Sequence, residues 1–588
     1  MSEPAIELWS NVAMSRSSES SRLNTSALNP AHTMRSRDIM ARAPLVMILA
    51  DVDVVVKPVA PGSRSLSNSP WGLSPRIGYT SLQCIPLSRS RYSAGPRYCP
   101  PGQEAMMSRN SRDAFLSRPW LAALAGLLFL LAAAPAPAAK AKPSAVLSAL
   151  KDELARSLKT LEAQPEPPYF LSYEITEAHR VSIRGAFGML TGSEESRDRL
   201  LDIDLRVGSH DMDNTRQIRG AFDMGFFDRY SLIPIPIEDN PDAIRGILWY
   251  ETDKKYKRAV ENLTKVRTNV QVKVDQEDQS ADFSHETPST YHEEIVDIDV
   301  NRSAWEDRVK RYTAPFAKYG DIYGAQASFT ASSQTRWFFN SEGSEIQTSR
   351  TLYRLFLSAF TKADDGMELP RYESFLSFTE DGLPEEKAVM AAVEIMIRDL
   401  LALREAPVVD PYIGPAILSG RASGVFFHEV FGHRIEGHRQ KSEDEGQTFK
   451  KKIGELLLPE TFSVVFDPTV TRIADTDLAG SYRYDNQGAK ARPVPVIEDG
   501  VFKSFLMSRA PVEGFPSSNG HGRKQAGFSP VARQSNLIVK VKDPVSRDEL
   551  KQQLLALMAK ENKPFGLLFD DIQGGFTITG RTIPNAFN

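Results

Sequence analysis

Cysteine is nearly missing from this sequence: of 588 residues only Cys84 and Cys99 are cysteines, and none follows Cys99. A disulfide-stapled fold is thereby excluded for the bulk of the chain, whatever its redox compartment. An excess of one charge is missing too. The 71 Lys and Arg stand against 75 Asp and Glu, for a formal net charge of -4. Without a basic run or face, the composition gives no support to a nucleic-acid partner. The interspersed charges read as a solvated surface, and no internal repeat is evident. Long apolar runs are scarce. Ala43 to Val56 is broken by Asp51 and Asp53, which leaves Trp120 to Ala134, WLAALAGLLFLLAAA, as the one sustained stretch.

That stretch of about fifteen residues is short for a membrane span and the right length for the core of a secretory signal. Arg109, Arg112 and Arg118 precede it, and Ala136-Pro137-Ala138 offers a small-residue cleavage site. The expectation is a signal peptide over 107–139, beginning at Met107. It implies a periplasmic or secreted protein with no stable membrane span after cleavage; an uncleaved anchor is the rival. A signal belongs at the start of a chain. Residues 1–106, rich in Ser, Arg and Pro and without a sustained period, are therefore expected to be a non-native extension with translation starting at Met106 or Met107. A disordered extension is the alternative.

After the signal, periodicity predicts helices and strands without regular βαβ alternation, hence α+β. Pro143 to Glu162 carries Leu147, Leu150, Leu154, Leu158 and Leu161 at three- and four-residue spacing, a helical stripe. Residues 169–230 read as strands, with Tyr169 to Tyr173 aromatic-rich and Leu200 to Val207 alternating. A helix from Pro241 to about Val270 has Asn240 as its N-cap and a stripe of Trp249, Tyr256, Val260 and Leu263. Asp275 to Glu294 reads as a charged loop, with His285 and His292 solvated. A further helix spans Ser303 to Tyr319, then strands near 322–361 turn at Asn340 to Gly343, and Glu385 to Arg404 is helical. Short strands with Gly, Pro and Asp turns follow. The expected domains are an N-terminal α+β region, 140–404, of mixed sheet and helix, and a largely antiparallel β region, 405–588.

The chemistry concentrates in His428-Glu429-Val430-Phe431-Gly432-His433. In the zinc-helix pattern H-E-x-x-H, two histidines four apart share one helix face and reach one metal. Here the spacing is one longer. At ~100° per residue, His428 and His433 stand ~140° apart on a regular α-helix. Either the helix ends at Gly432 so that His433 swings back, or a π-bulge widens the turn. With that distortion, His428 and His433 are the metal ligands. Glu429 takes a proton from metal-bound water and delivers it to the leaving amine. Ser423 to Phe427 is expected to pack one helix face and dry the site. The bland alternative is that Glu429 and His433, four apart, form a helix ion pair, and that His438 is a surface residue beside Glu436.

Arg421 to Gly437, RASGVFFHEVFGHRIEG, resembles the active-site segment of the TldD/PmbA family of zinc metallopeptidases, in its TldD-like branch. Lys452 to Val465, Asp485 to Gly488, Ile497 to Lys503, Ser518 to Gly520, Pro530 to Asn536 and, earlier, Leu201 to Asn214 fit as well. The resemblance covers residues 145–588 and is strongest over 420–540. It implies Zn2+ held by His428 and His433, with Glu429 as catalytic acid/base. It also implies a homo- or heterodimer with a family member that encloses the site, and peptides or unfolded proteins as substrates. The family's pattern has a cysteine ligand in its C-terminal part, which this chain lacks after Cys99. A C-terminal truncation is the expectation. The third ligand stays unassigned, with His438 or Glu436 as substitutes. The leading reading is a zinc-dependent peptidase; the second is a catalytically impaired subunit or peptide-binding module lacking full ligation. The family's older link to DNA gyrase gains nothing from these residues.

Overall fold

The computed structural model describes residues 80–86, 144–218, 232–272, 278–442, 445–572, 577, 579 and 580. The signal expected over 107–139, and nearly all of 1–106, lie outside the described residues. Thr80–Pro86 (β1) is the exception; it pairs antiparallel with Phe565–Ile572, the last strand among the described residues.

The first helix, α1 (Ala145–Leu161), starts where Ser144 Oγ accepts the Leu147 amide at 3.2 Å. Its leucine stripe buries Leu147, Leu150, Leu154 and Leu161. Two strands of 19 residues follow, β2 (Pro168–Ala186) and β3 (Met189–Val207), forming one long hairpin that turns at Phe187 and Gly188. After β4 (Ile233–Pro234) comes α2 (Pro241–Val272), capped by Asn240 Oδ1 on the Asp242 and Ala243 amides. Its buried face is Ile244, Leu248, Ala259, Leu263 and Val266; Trp249, expected on that stripe, is exposed. The expected loop 275–294 holds one short strand, β5 (Thr290–His292), in which His292 is part-buried against Glu345 at 3.1 Å rather than solvated.

Helix α3 (Arg302–Thr313) ends six residues earlier than expected. Pro315 cannot donate to an α-helical bond, and the chain tightens into a 3₁₀ turn over Ala314–Lys318. A second long hairpin, β6 (Ile322–Asn340) and β7 (Glu345–Lys362), turns where Asn340 and Gly343 were expected to turn it; β8 (Glu368–Ser377) and α4 (Glu386–Arg404) complete the region. The sheet runs β4-β3-β2-β6-β7-β5, with β8 also paired to β7. Period-two alternation sends the odd-numbered residues of β2 and β6 to the helices. One cluster joins Leu171, Tyr173 and Ile175 to α1 and α2; another joins Ile183, Phe329 and Leu357 to α3 and α4, with Trp305 stacked on Phe329 at 3.6 Å.

Beyond α4 lie β9 (Ala416–Leu418), α5 (Gly420–Phe426) and α6 (His438–Lys441), with the segment of interest between the two helices. The strands are β10 (Phe462–Phe466), β11 (Arg472–Ile473), β12 (Thr476–Asp477), β13 (Val494–Glu498), β14 (Val501–Phe502), β15 (Gly522–Arg523), β16 (Val531–Ala532) and β17 (Leu537–Val541). They pair as an antiparallel sheet β14-β13-β10-β17 and two hairpins. Asp499 and Gly500, both at positive φ, make the tight β13–β14 turn. Helix α7 (Arg547–Lys560) precedes β18 (Phe565–Ile572), which is antiparallel to β1 and parallel to β9. The architecture is α+β, as expected. No helix among the described residues is long and apolar enough to cross a membrane.

The even-numbered face of the first sheet carries polar side chains that meet the C-terminal region. Lys524 Nζ reaches Glu174 of β2 and Asp202 of β3 at 3.1 and 2.5 Å, while Arg336 of β6 pairs with Glu174 and donates to the Asp485 carbonyl. All four side chains are buried or nearly so.

Candidate metal centre

The segment begins as an ordinary helix. Ser419 Oγ caps α5 on the Ala422 amide, and the backbone is α-helical to Phe426. From Phe427 to Phe431 it becomes a π-helical turn, and from Gly432 to Ile435 a 3₁₀ turn. The Gly432 amide donates to both the His428 and Phe427 carbonyls. An i→i+5 bond adds a residue to the turn, so residues five apart come to one face. Both distortions foreseen from the spacing are therefore present, the widened turn and the break at Gly432. The imidazoles of His428 and His433 lie 4.6 Å apart between centroids at 77°. Ligand atoms of His428, Glu429 and His433 all fall within 4.8 Å of one another.

Gly432 makes room for a side chain from another element. A Cβ there would stand 2.0 Å from Oε1 of Gln534. The Gln534 amide is buried, and neither of its polar atoms has a hydrogen-bond partner among the described residues. Below the turn, Phe431 and Ile435 anchor it in the core formed by Val464, Phe466, Val496 and Phe502.

His433 is held from behind. Its Nδ1 meets Glu436 Oε1 at 3.3 Å, and the fully buried Glu436 also accepts from Arg439 Nε at 2.8 Å and lies 3.4 Å from Arg533. Burial alone would raise the Glu436 pKa. The His433 hydrogen bond and the charges of Arg533 and Arg439 outweigh it and hold Glu436 ionised below the usual carboxylate range. Glu436 is thus committed to orienting His433, which leaves Nε2 free toward the site, the arrangement that surrounds ligating histidines in metal proteins. That commitment removes Glu436 from the candidates for third ligand. His438, the other candidate, is not in the cluster of converging ligand atoms. Burial, then the neighbouring His433, lowers the His428 pKa, which keeps that imidazole neutral and able to ligate.

Glu429 stands between the histidines, 3.8 Å from His428 Nε2 and 4.0 Å from His433 Nε2. Thr577 Oγ1, from the far end of the chain, is 2.7 Å from its Oε2 and 2.6 Å from its backbone carbonyl. The donor set fits a zinc ion through two imidazoles, with a carboxylate poised beside it. Among the described His, Cys, Asp and Glu side chains, the one that converges with both is Glu429 itself. The expectation that Ser423 to Phe427 seals the site holds only in part: Ala422 is buried, but Val425, Phe426 and Phe427 are half-exposed and Gly424 is exposed.

Motif reading found the two histidines and Glu429 because they are contiguous. It missed Glu436 as an orienting group, Arg533, Gln534 and Thr577. Glu436 sits three residues from His433, a spacing that hints at contact; Arg533 and Gln534 lie in Pro530 to Asn536, which the family resemblance took in without a role, and Thr577 arrives from another element.

Comparison with known proteins agrees with this geometry. Residues 299–400 match the PmbA/TldA metallopeptidase central domain and 412–582 match the PmbA/TldA metallopeptidase C-terminal domain, in chain order. A metalloprotease of Methanocaldococcus jannaschii is 27% identical over 251 residues, 42% of this chain and 50% of that protein. A metalloprotease TldD homolog of Haemophilus influenzae is 28% identical over 153 residues, 26% of this chain and 30% of that one. The chain spans about half the length, or less, of the curated relatives it matches. Among solved structures, TldE from Thermococcus kodakarensis is 14% identical with a TM-score of 0.46, covering 73% of this chain and 83% of that one. With both domain patterns matched in order, and the second containing the distorted His-Glu-His turn, the chain belongs to the PmbA/TldD family of metallopeptidases.

Proposed function

We propose that this chain is a zinc-dependent peptidase of the TldD-like branch, hydrolysing peptide bonds in flexible or unfolded polypeptides in the periplasm or outside the cell. The observation that carries the reading is the π turn, which sets two imidazoles and one carboxylate around a single point. His428 and His433 would hold the ion, which when bound would supply an acidified water. Glu429 receives the proton on its carboxylate and passes it to the leaving nitrogen. Thr577 keeps that carboxylate turned toward the histidines, and Glu436 keeps His433 in its ligating tautomer. The half-exposed Val425, Phe426 and Phe427 beside the site support a dimer, with itself or with a family member, that closes over the cleft. The extracytoplasmic setting rests on the signal-like segment 107–139.

A second reading has its own support. Among the described residues no third ligand accompanies the two histidines apart from the carboxylate that catalysis needs, as in an impaired or peptide-binding subunit. Metal analysis of the purified protein separates the readings when paired with digestion of an unstructured polypeptide. About one zinc per chain, with cleavage lost on chelation and restored by zinc, is expected. Zinc uptake without cleavage would establish the second reading instead, and no zinc uptake would refute the metal centre.

A further inference from the structure

A second group of ligand-type side chains converges well outside the His-Glu-His turn. His210 follows β3, His285 lies in the loop before β5, and Glu342 sits in the β6–β7 turn. Ligand atoms of all three fall within 4.8 Å of one another. The two imidazole rings are 3.6 Å apart between centroids and 28° from parallel. A cavity of about 600 Å³ opens beside them, walled by His210, Asp211, His285, Pro511 and Glu513 among others. Such a volume lies within the range of ligand sites.

The details of His210 are those of a ligand. Its Nδ1 faces the Phe283 carbonyl at 3.0 Å, which places the proton on that nitrogen and leaves Nε2 with a bare lone pair. A backbone carbonyl behind the ring is one of the usual partners of ligating histidines. Burial, with the nearby His285 and Arg509, lowers the His210 pKa and keeps the ring neutral. The bland account makes His210 one ring of an aromatic cluster with Tyr169 and Phe283, at 4.6 and 5.9 Å. That account explains the stacking, but not the convergence of a carboxylate on two histidines that both line the cavity.

We propose that His210, His285 and Glu342 form a second cation site, taking a first-row divalent ion of the zinc, copper or nickel class. Imidazole nitrogens select these ions over magnesium or calcium. Ligands at 2.0–2.1 Å around a tetrahedral ion lie ~3.3 Å apart; the three ligand atoms, all within 4.8 Å of one another, would draw to that spacing by rotation of the exposed His285 ring. Arg509 already pairs with both Glu342 oxygens, at 2.6 and 2.7 Å. The carboxylate therefore brings a partly neutralised charge, and the site binds more weakly than one with a free carboxylate. Lys441 Nζ, on α6, donates to the Ser280 and Ala281 carbonyls at 3.2 and 2.8 Å. Occupancy here would thus stiffen a loop tied to the end of the catalytic segment.

The test uses the full chain carrying His428→Ala and His433→Ala, so that the first centre contributes nothing. Calorimetric titration with Zn2+ is expected to show one equivalent bound. Adding His285→Ala, an exposed position that leaves folding intact, should weaken that binding by ~10-fold or more. Cu2+ in the same background should show nitrogen hyperfine coupling that His285→Ala reduces. Zinc affinity and copper spectrum both unchanged by His285→Ala would overturn the proposal.

Discussion

Glu436 is fully buried, yet its carboxylate meets His433, Arg439 and Arg533 at 2.8 to 3.4 Å. Its value to the site is orientation: without it the His433 ring loses the acceptor that fixes its tautomer. Glu436→Gln should keep the fold and lower zinc affinity by ~10–100-fold, measured by competition with a chelating dye. Gly432 acts through volume. Gly432→Ala displaces the end of the Gln534 side chain and should lower stability by no more than about 1 kcal/mol in urea unfolding. Shortening the obstruction with Gln534→Ala should recover most of that loss; no recovery would place the strain in the π turn itself. His521 makes a pH-dependent contribution. Burial pushes its pKa down to about 4, and Arg523 and Arg492 add to the effect. In the unfolded chain it titrates near 6.5. The unfolded state therefore binds more protons between these values. Stability is full above about pH 6.5 and falls by roughly 3 kcal/mol as pH drops toward 4. His521→Gln should remove that part of the slope, read from urea midpoints at pH 7 and 4.5.

At the level of elements, what could be read in advance was what depends on local period. The leucine stripe of α1 and the apolar face of α4 gave those helices to within two residues, because each buries one side on a sheet. The β6–β7 turn was legible for the same local reason, an Asn-Ser-Glu-Gly run between apolar strands. The β2–β3 hairpin falls within the 169–230 stretch read as strands, but its outer half carries a weaker signal than Tyr169 to Tyr173 and Leu200 to Val207. There the strands are paired through charged side chains, Arg184 with Glu194, Arg197 with Glu177 and His179 with Glu195, and apolar alternation is confined to Val181 and Ile183 of β2. Trp249 misled in the opposite way, an aromatic residue on the open side of α2. The π turn was inferable because five-residue spacing of two ligands is incompatible with a regular helix. Its supports were not: Thr577 lies 148 residues from Glu429, a contact that only the folded chain creates.

On the scale of the whole molecule, a buried ionic group joins the long sheet to the strands beyond the metal turn. Lys524 is enclosed between Glu174 and Asp202, and Arg336 reaches from Glu174 to the Asp485 carbonyl. Removing one partner from such a group strands the others without a counter-charge. Lys524→Met should therefore cost ~3–5 kcal/mol in urea unfolding, far more than a surface pair. A smaller loss would mean that water enters the junction. This junction holds Arg523 and the strands from which Arg533 and Gln534 approach the metal turn, so the sheet serves as the platform of the site. The most direct test of that site uses the full chain with Glu429→Gln, assayed together for bound zinc and for cleavage of an unstructured polypeptide. The account predicts zinc content equal to the unaltered protein and cleavage lower by ~100-fold or more. Cleavage at the unaltered rate would contradict it.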